Sequence, residues 1–225
     1  ETVMDQNGRR PLLNRERYVL LNPCLPEVRE HLVNVVEEIA ARYDVDGVQF
    51  DYIRFLSRDI KKGEDVPYDQ TTLDLFREHT GGSTPAGSSQ AWDRFRRDAI
   101  NRLVRDMSRA IRTARPEAIV SMAAVGNIER ARDHLFQDAA QWFHRGWVDE
   151  VCPMLYSKTR SAFRKNLDSY TDVLPSAATI AGVGIYKADA DVARGQLKLA
   201  RRLQTSGYAV FGYTSLFLSR SPLSS

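Results

Sequence analysis

Apolar positions follow two alternating rhythms along this chain. Short runs rich in valine, isoleucine and aromatic residues fall at about 46–55, 118–125, 148–156, 179–186 and 208–213, and predict strands. Between them, apolar residues return every three or four positions at about 26–42, 90–114, 136–145, 161–173 and 189–205, which predicts helices. In the first helix Val28, Leu32, Val35, Val36 and Ile39 follow Pro26 and Glu27, both favoured in a first turn. In the second, Trp92, Phe95, Ala99, Leu103, Met107 and Ile111 make one stripe, ended by Pro116. Gly146 closes the third as a C-cap. Ahead of these, Tyr18-Val19-Leu20-Leu21 reads as a short strand or extended segment stopped at Asn22-Pro23.

Strand–helix alternation implies a parallel sheet with right-handed crossovers. An open doubly wound sheet and part of an eight-stranded barrel both fit. Doubly wound nucleotide binders carry a glycine-rich strand–helix turn. Gly182-Val183-Gly184 lies inside a strand, so it makes a poor phosphate cradle, and a barrel is the better reading. Residues 56–90 are a polar excursion with Gly81-Gly82-Ser83-Thr84-Pro85 and a short helix at 71–79. The pattern on either side is the same, so the expectation is one domain over 1–225 with a long loop over the active-site face.

With 43% hydrophobic and 27% charged residues, 225 residues suffice for a substantial globular core. Net charge is only +3. Arg94, Arg96, Arg97, Arg102 and Arg105 interleave with Asp93, Asp98 and Asp106, which predicts a solvated helix face and argues against nucleic acid as partner. No run approaches the roughly 18 apolar residues of a membrane span, and Glu1-Thr2-Val3-Met4-Asp5 is not a signal peptide. Cys24 and Cys152 define neither a disulfide framework nor a metal site, and Cys152 reads as a small core residue. His31, His79, His134 and His144 lack metal-ligand spacing and a Ser or Cys partner motif, so no metal and no cofactor is expected.

Chemistry concentrates in Tyr43-Asp44-Val45-Asp46-Gly47-Val48-Gln49-Phe50-Asp51-Tyr52-Ile53-Arg54-Phe55. Into an apolar strand this stretch sets Gln49, Asp51 and Arg54. A carboxylate there is costly unless paired or used. Residues 49, 51 and 53 of a strand share one face, and polar groups at the C-terminal end of a barrel strand point to the active-site face. A structural ion pair between Asp51 and Arg54 is the plainer alternative.

Several segments together resemble the glycosyl hydrolase-like 10 family of bacterial (β/α)8 barrels. They include Leu21-Asn22-Pro23 before Pro26-Glu27-Val28-Arg29, the 43–55 stretch, Phe95-Arg96-Arg97-Asp98, Val120-Ser121-Met122-Ala123-Ala124, Gln137-Asp138 through Trp142, Gly146-Trp147-Val148-Asp149-Glu150-Val151-Cys152-Pro153-Met154-Leu155-Tyr156, and Ala181-Gly182-Val183-Gly184-Ile185-Tyr186. Their order is the family's. The resemblance implies a TIM-barrel type fold of which this chain holds strands 4–8, the first strands preceding residue 1. It also implies a secreted or cell-envelope protein and, by similarity to hydrolases of peptidoglycan glycan strands, glycosidase activity on a cell-wall or extracellular polysaccharide. Where many relatives carry proline after the Arg-aromatic pair, Leu56 stands here.

Glycoside hydrolysis uses two carboxyl groups, about 5 Å apart for retention and roughly 6.5–9.5 Å for inversion. Asp51 is the candidate nucleophile or charged stabiliser, with Arg54 keeping it ionised. The pattern Asp46-Gly47-x-x-x-Asp51 is similar to that of chitinase-type barrels, but Ile53 occupies the place of their acid, so that mechanism does not transfer. Glu129, in a loop after the second strand, is the candidate partner. Asp59, Glu64 and Asp65 lie in the long loop, Asp138 caps a helix as readily as it reaches a site, and Asp46 and Asp149 sit at strand starts as structural groups. Tyr156, Tyr186 and Tyr213 end three strands and are expected to form a sugar-stacking floor. Gln49, Tyr52, Arg54 and Asn127 complete the expected contacts to a polysaccharide or oligosaccharide. A non-catalytic carbohydrate-binding barrel is the runner-up, and an open-sheet small-ligand protein a third reading.

Overall fold

The computed structural model describes residues 2–11, 19–55 and 65–217. Tyr18, Leu56, Asp59, Glu64 and the tail from 218 lie outside the described residues. Five strands, β1 (Gly47–Phe50), β2 (Ile119–Val125), β3 (Glu150–Met154), β4 (Ile180–Gly184) and β5 (Gly207–Phe211), form one parallel sheet in chain order. A doubly wound sheet reverses its order at a switch point. This one does not, and the fold is an α/β partial barrel.

The helices are α1 (Pro26–Arg42), α2 (Gln70–Thr80), α3 (Ser89–Ala114), α4 (Ile128–Leu135), α5 (Ala139–His144), α6 (Arg160–Thr171), α7 (Ala190–Arg202) and α8 (Thr214–Phe217). Among the described residues, side chains cap α4, through Asn127, and four more. Asp69 accepts from the Thr72 amide of α2, Asp138 from Gln141 of α5, Thr159 from Ala162 of α6 and Asp189 from Val192 of α7. Gly81, at φ 69°, closes α2 in the left-handed conformation.

The chain divides into two compact units, Glu1–Asp46 with Ile53–Ala118 and Asp133–Gln137, and Gly47–Tyr52 with Ile119–Arg132 and Asp138–Ser225. In the first unit α1 packs on α3, and Phe76, Trp92 and Phe95 are buried together, with the Trp92 and Phe95 rings stacked at 5.7 Å. Arg96 departs from the expected solvated face. It is 4% exposed, pairs with Asp65 and Asp93 at 2.6 Å each, and lies 4.4 Å from the Phe136 ring centroid. A guanidinium survives burial only with such partners. Asn22 is likewise buried, donating to Asp69 and Thr72 at 2.7 Å.

In the second unit the sheet has two unlike faces. Odd and even positions of a strand diverge. Val120, Met122, Val151, Leu155, Ala181, Val183 and Ile185 point to one side and are fully buried. There Phe163 and Leu167 of α6 and Ala193 and Ala200 of α7 close the core. The opposite face carries Gln49, Ser121, Ala123, Cys152, Gly182, Gly184 and Ala209, small or polar, with the apolar Val125, Met154, Ile180 and Phe211 toward the strand ends. At the strand starts Asp149 accepts from the Val120 amide at 2.8 Å and its own amide donates to Val120 O at 2.7 Å. That is a structural clamp.

Two elements differ from expectation. The strand at 46–55 stops at Phe50, because Tyr52 turns to φ 58°. Ile53, Arg54 and Phe55 leave strand geometry, so Ile53 does not continue the face of Gln49 and Asp51. The helix expected at 136–145 is the shorter α5, and α4, which ends before Phe136 at φ 58°, is an element the pattern did not predict.

Candidate functional site

The sheet face of small residues sets the site's floor. Barrel interiors are ordinarily filled by bulky branched side chains. Here the β2–β3 register pairs Ala123 with Cys152, and the β4–β5 register pairs Gly182 with Ala209 and Gly184 with Phe211. No branched side chain stands on those positions.

Asp51 follows directly on β1. Extending the pairing of Gln49 with Ser121 by one step on the same face sets Asp51 level with Ala123, one strand from Cys152. Burial pushes the Cys152 thiol up to about 11, with the Asp51 charge the next cause and Glu150 after it. The Asp51 carboxylate is exposed, and its Oδ1 accepts the Tyr52 amide at 2.7 Å. Tyr52 holds a left-handed backbone that a tyrosine adopts at a cost of about 1–2 kcal/mol. Strain of that kind next to an exposed carboxylate marks a place shaped for a task.

The wall is aromatic. The Tyr156 ring stacks on Phe211 at 5.4 Å with 12° between planes, and Tyr186 meets both edge-on, at 5.8 Å and 5.9 Å. Tyr156 lies over Gly184, where an added Cβ would come within 2.8 Å of its ring. Burial raises the Tyr156 phenol to about 12, helped by Cys152, Tyr186 and Asp51. Tyr186 is also raised, by burial and then by Tyr52. Tyr213 stands 77% exposed beyond this trio, and Phe211 is the residue through which β5 joins it. Alternation along 207–213 already set Phe211 on the face of Tyr213, a signal that attention to strand-end tyrosines passes over.

Gln49 lies on the floor, where its Oε1 accepts the Ser121 hydroxyl at 3.4 Å. Arg54 is half-buried in the other unit. Asn127 accepts the Arg130 amide at 2.9 Å and so caps α4. Glu129 is not in a loop but in the first turn of α4. It is exposed and lines a groove of about 700 Å³ with Asn127, Arg132, Arg164, Lys165 and Asp168. Asp138 lines the same groove while capping α5. The structure thus gathers Gln49, Asp51, Tyr52, Tyr156 and Tyr186 around one sheet face and its strand ends, and sets Glu129 and Asn127 beside α6. Among the described residues, no group of three or more His, Cys, Asp or Glu is arranged to hold a metal.

Comparison with known proteins agrees with this architecture. The sequence profile described as "Glycosyl hydrolase-like 10" matches residues 11–193. Glycosyl hydrolase DigH of Escherichia coli (strain K12) is 29% identical over 187 residues, covering 76% of this chain and 39% of that protein. Glycosyl hydrolase YngK of Bacillus subtilis (strain 168) is 24% identical over 150 residues, covering 60% of this chain and 27% of its own length. The chain thus spans about 39% of the length of DigH and 27% of that of YngK. Among solved structures, alpha-L-fucosidase isoenzyme 2 from Paenibacillus thiaminolyticus superposes with a TM-score of 0.60 at 14% identity, over 93% of this chain and 30% of that one. That likeness is one of fold.

Proposed function

Because the chain belongs to the glycosyl hydrolase-like 10 family, we propose that it forms the strand-end side of a glycoside hydrolase site acting on a cell-wall or extracellular polysaccharide, in a secreted or envelope-bound protein. The observation that carries this reading is the exposed Asp51 carboxylate at the edge of a floor of small residues, walled by Tyr156, Tyr186 and Phe211. Sugar rings present C–H faces that stack on aromatic faces, while hydroxyls bond to phenols and amides. Gln49, Tyr52 and Tyr213 are the further contacts in this reading. Asp51 serves as nucleophile or as the charge that stabilises an oxocarbenium-like transition state.

Glu129 is the proposed second carboxyl group, and Asn127 a hydroxyl contact. Their placement beside α6 favours a second reading, a carbohydrate-binding barrel without catalysis. A polypeptide containing residues 1–225, assayed on purified glycans with product analysis, separates the two. Asp51→Asn is expected to lower turnover by about 10²–10³-fold or more while thermal unfolding is unchanged. Unaltered turnover in the folded variant removes Asp51 from the chemistry. Binding without release of reducing ends in the parent establishes the binding module.

A further inference from the structure

The helix side of the second unit holds a second groove, which shares Ser161 and Arg164 with the one lined by Glu129. It measures about 430 Å³ and is lined by Arg160, Ser161 and Arg164 of α6 and by Gly195, Lys198, Leu199 and Arg202 of α7. Its lining contains four cations and no carboxylate. Arg164 is neutralised by Asp168 at 2.6 Å. Arg160, Lys198 and Arg202 are exposed, and none forms an ion pair among the described residues. Like charges brought together on two helices repel, a cost that an anion between them removes.

The arrangement is built rather than incidental. Gly195 sits inside α7, where glycine is less favourable than alanine. A Cβ there would lie 2.0 Å from Arg160 Nε and 2.5 Å from its Cζ. The missing side chain is the space that the Arg160 guanidinium occupies. Arg160 Nη2 also donates to the Asp191 carbonyl at 2.7 Å, which fixes the planar fork across the groove.

We propose that this groove binds a phosphate group carried on a glycan polymer. Guanidinium forks match phosphate oxygens in pairs, and lysine adds a point charge. The groove holds a phosphate with an attached sugar. Its only apolar liner, Leu199, is half-buried, so there is no exposed apolar residue to enter a bilayer, which argues against a lipid headgroup. The choice of a glycan as carrier rests on the carbohydrate reading above. Arg160 follows Tyr156 by four residues in the chain, so a polymer held at the groove is held next to the segment that carries the aromatic wall.

Binding of residues 1–225 to phosphorylated dextran, unmodified dextran, inorganic phosphate and phosphatidylglycerol vesicles tests this. Phosphorylated dextran should bind best, and increasingly weakly as salt is added. The triple variant R160Q/K198Q/R202Q should bind it roughly tenfold more weakly or worse. The charge-matched control R94Q/R109Q/R145Q should not. Gly195→Ala displaces the Arg160 guanidinium and should also weaken binding, with an unchanged thermal midpoint showing that the fold is kept. Asp51→Asn should bind normally, which separates failure of this site from failure of the catalytic reading. Equal losses in the two triple variants, tighter binding to vesicles than to the polymer, or equal affinity for inorganic phosphate would each overturn the proposal.

Discussion

Gly184 shows how finely single residues set the aromatic wall. An added Cβ would stand 2.8–2.9 Å from three atoms of Tyr156. Gly184→Ala must therefore shift that ring off Phe211, at a cost of about 1–3 kcal/mol. Urea unfolding and oligosaccharide titration should both register it. Tyr156 also titrates abnormally. Its folded value, about 12, lies above the ordinary tyrosine value of 10. The folded state keeps its proton where the unfolded chain has lost it, so this contribution is intact below pH 10 and is lost as pH rises from 10 towards 12. Tyr156→Phe should flatten that alkaline fall without abolishing it, because the buried Cys24 thiol, raised to about 12, contributes in the same direction. Asp51, Tyr156 and Tyr186 were legible from sequence because carboxylates and tyrosines at strand ends are rare enough to stand out. Phe211 and the glycine floor were not, since each is ordinary in a strand until the register brings them level.

At the scale of elements, the sheet is anchored from behind. Tyr170 of α6 is fully buried, and its hydroxyl donates to the Val125 carbonyl at the end of β2. Tyr170→Phe keeps the ring and removes the donor, so it should cost about 1 kcal/mol or more in equilibrium unfolding. No effect would show that the carbonyl finds another partner. Helices with a full apolar stripe, α1, α3, α6 and α7, fall within about three residues of their sequence reading, as expected where periodicity is long. α4 was not legible. Its eight residues include Glu129, Arg130, Arg132 and Asp133, too polar and too short to declare a face. β1 was read too long for a different reason. Tyr52 and Ile53 have every preference of a strand, and only the left-handed turn at Tyr52 stops it.

For the molecule as a whole, strand order was legible because alternation of strands and helices permits few topologies. The division into two units was not, since residues 47–52 and 133–137 each belong with distant parts of the chain and no composition change marks them. Sheet topology carries the last prediction. Among the described residues β1 pairs only with β2, and β5 only with β4. Each therefore has an edge of unpaired amides and carbonyls, and such edges invite another strand. On β5 the edge is not blunted by charge. Tyr208 is 50% and Phe211 56% exposed, and Tyr213 follows them. Aromatic side chains along an open strand make a surface that associates. Residues 1–225 produced by themselves should accordingly self-associate, with a sedimentation coefficient and a thermal midpoint that both rise with protein concentration. Replacing Tyr208 with Lys puts a charge on that strand and should return the protein toward monomer without loss of the folded state. A wild-type polypeptide that sediments as a monomer and unfolds at one temperature across a wide concentration range would show that these edges are already satisfied.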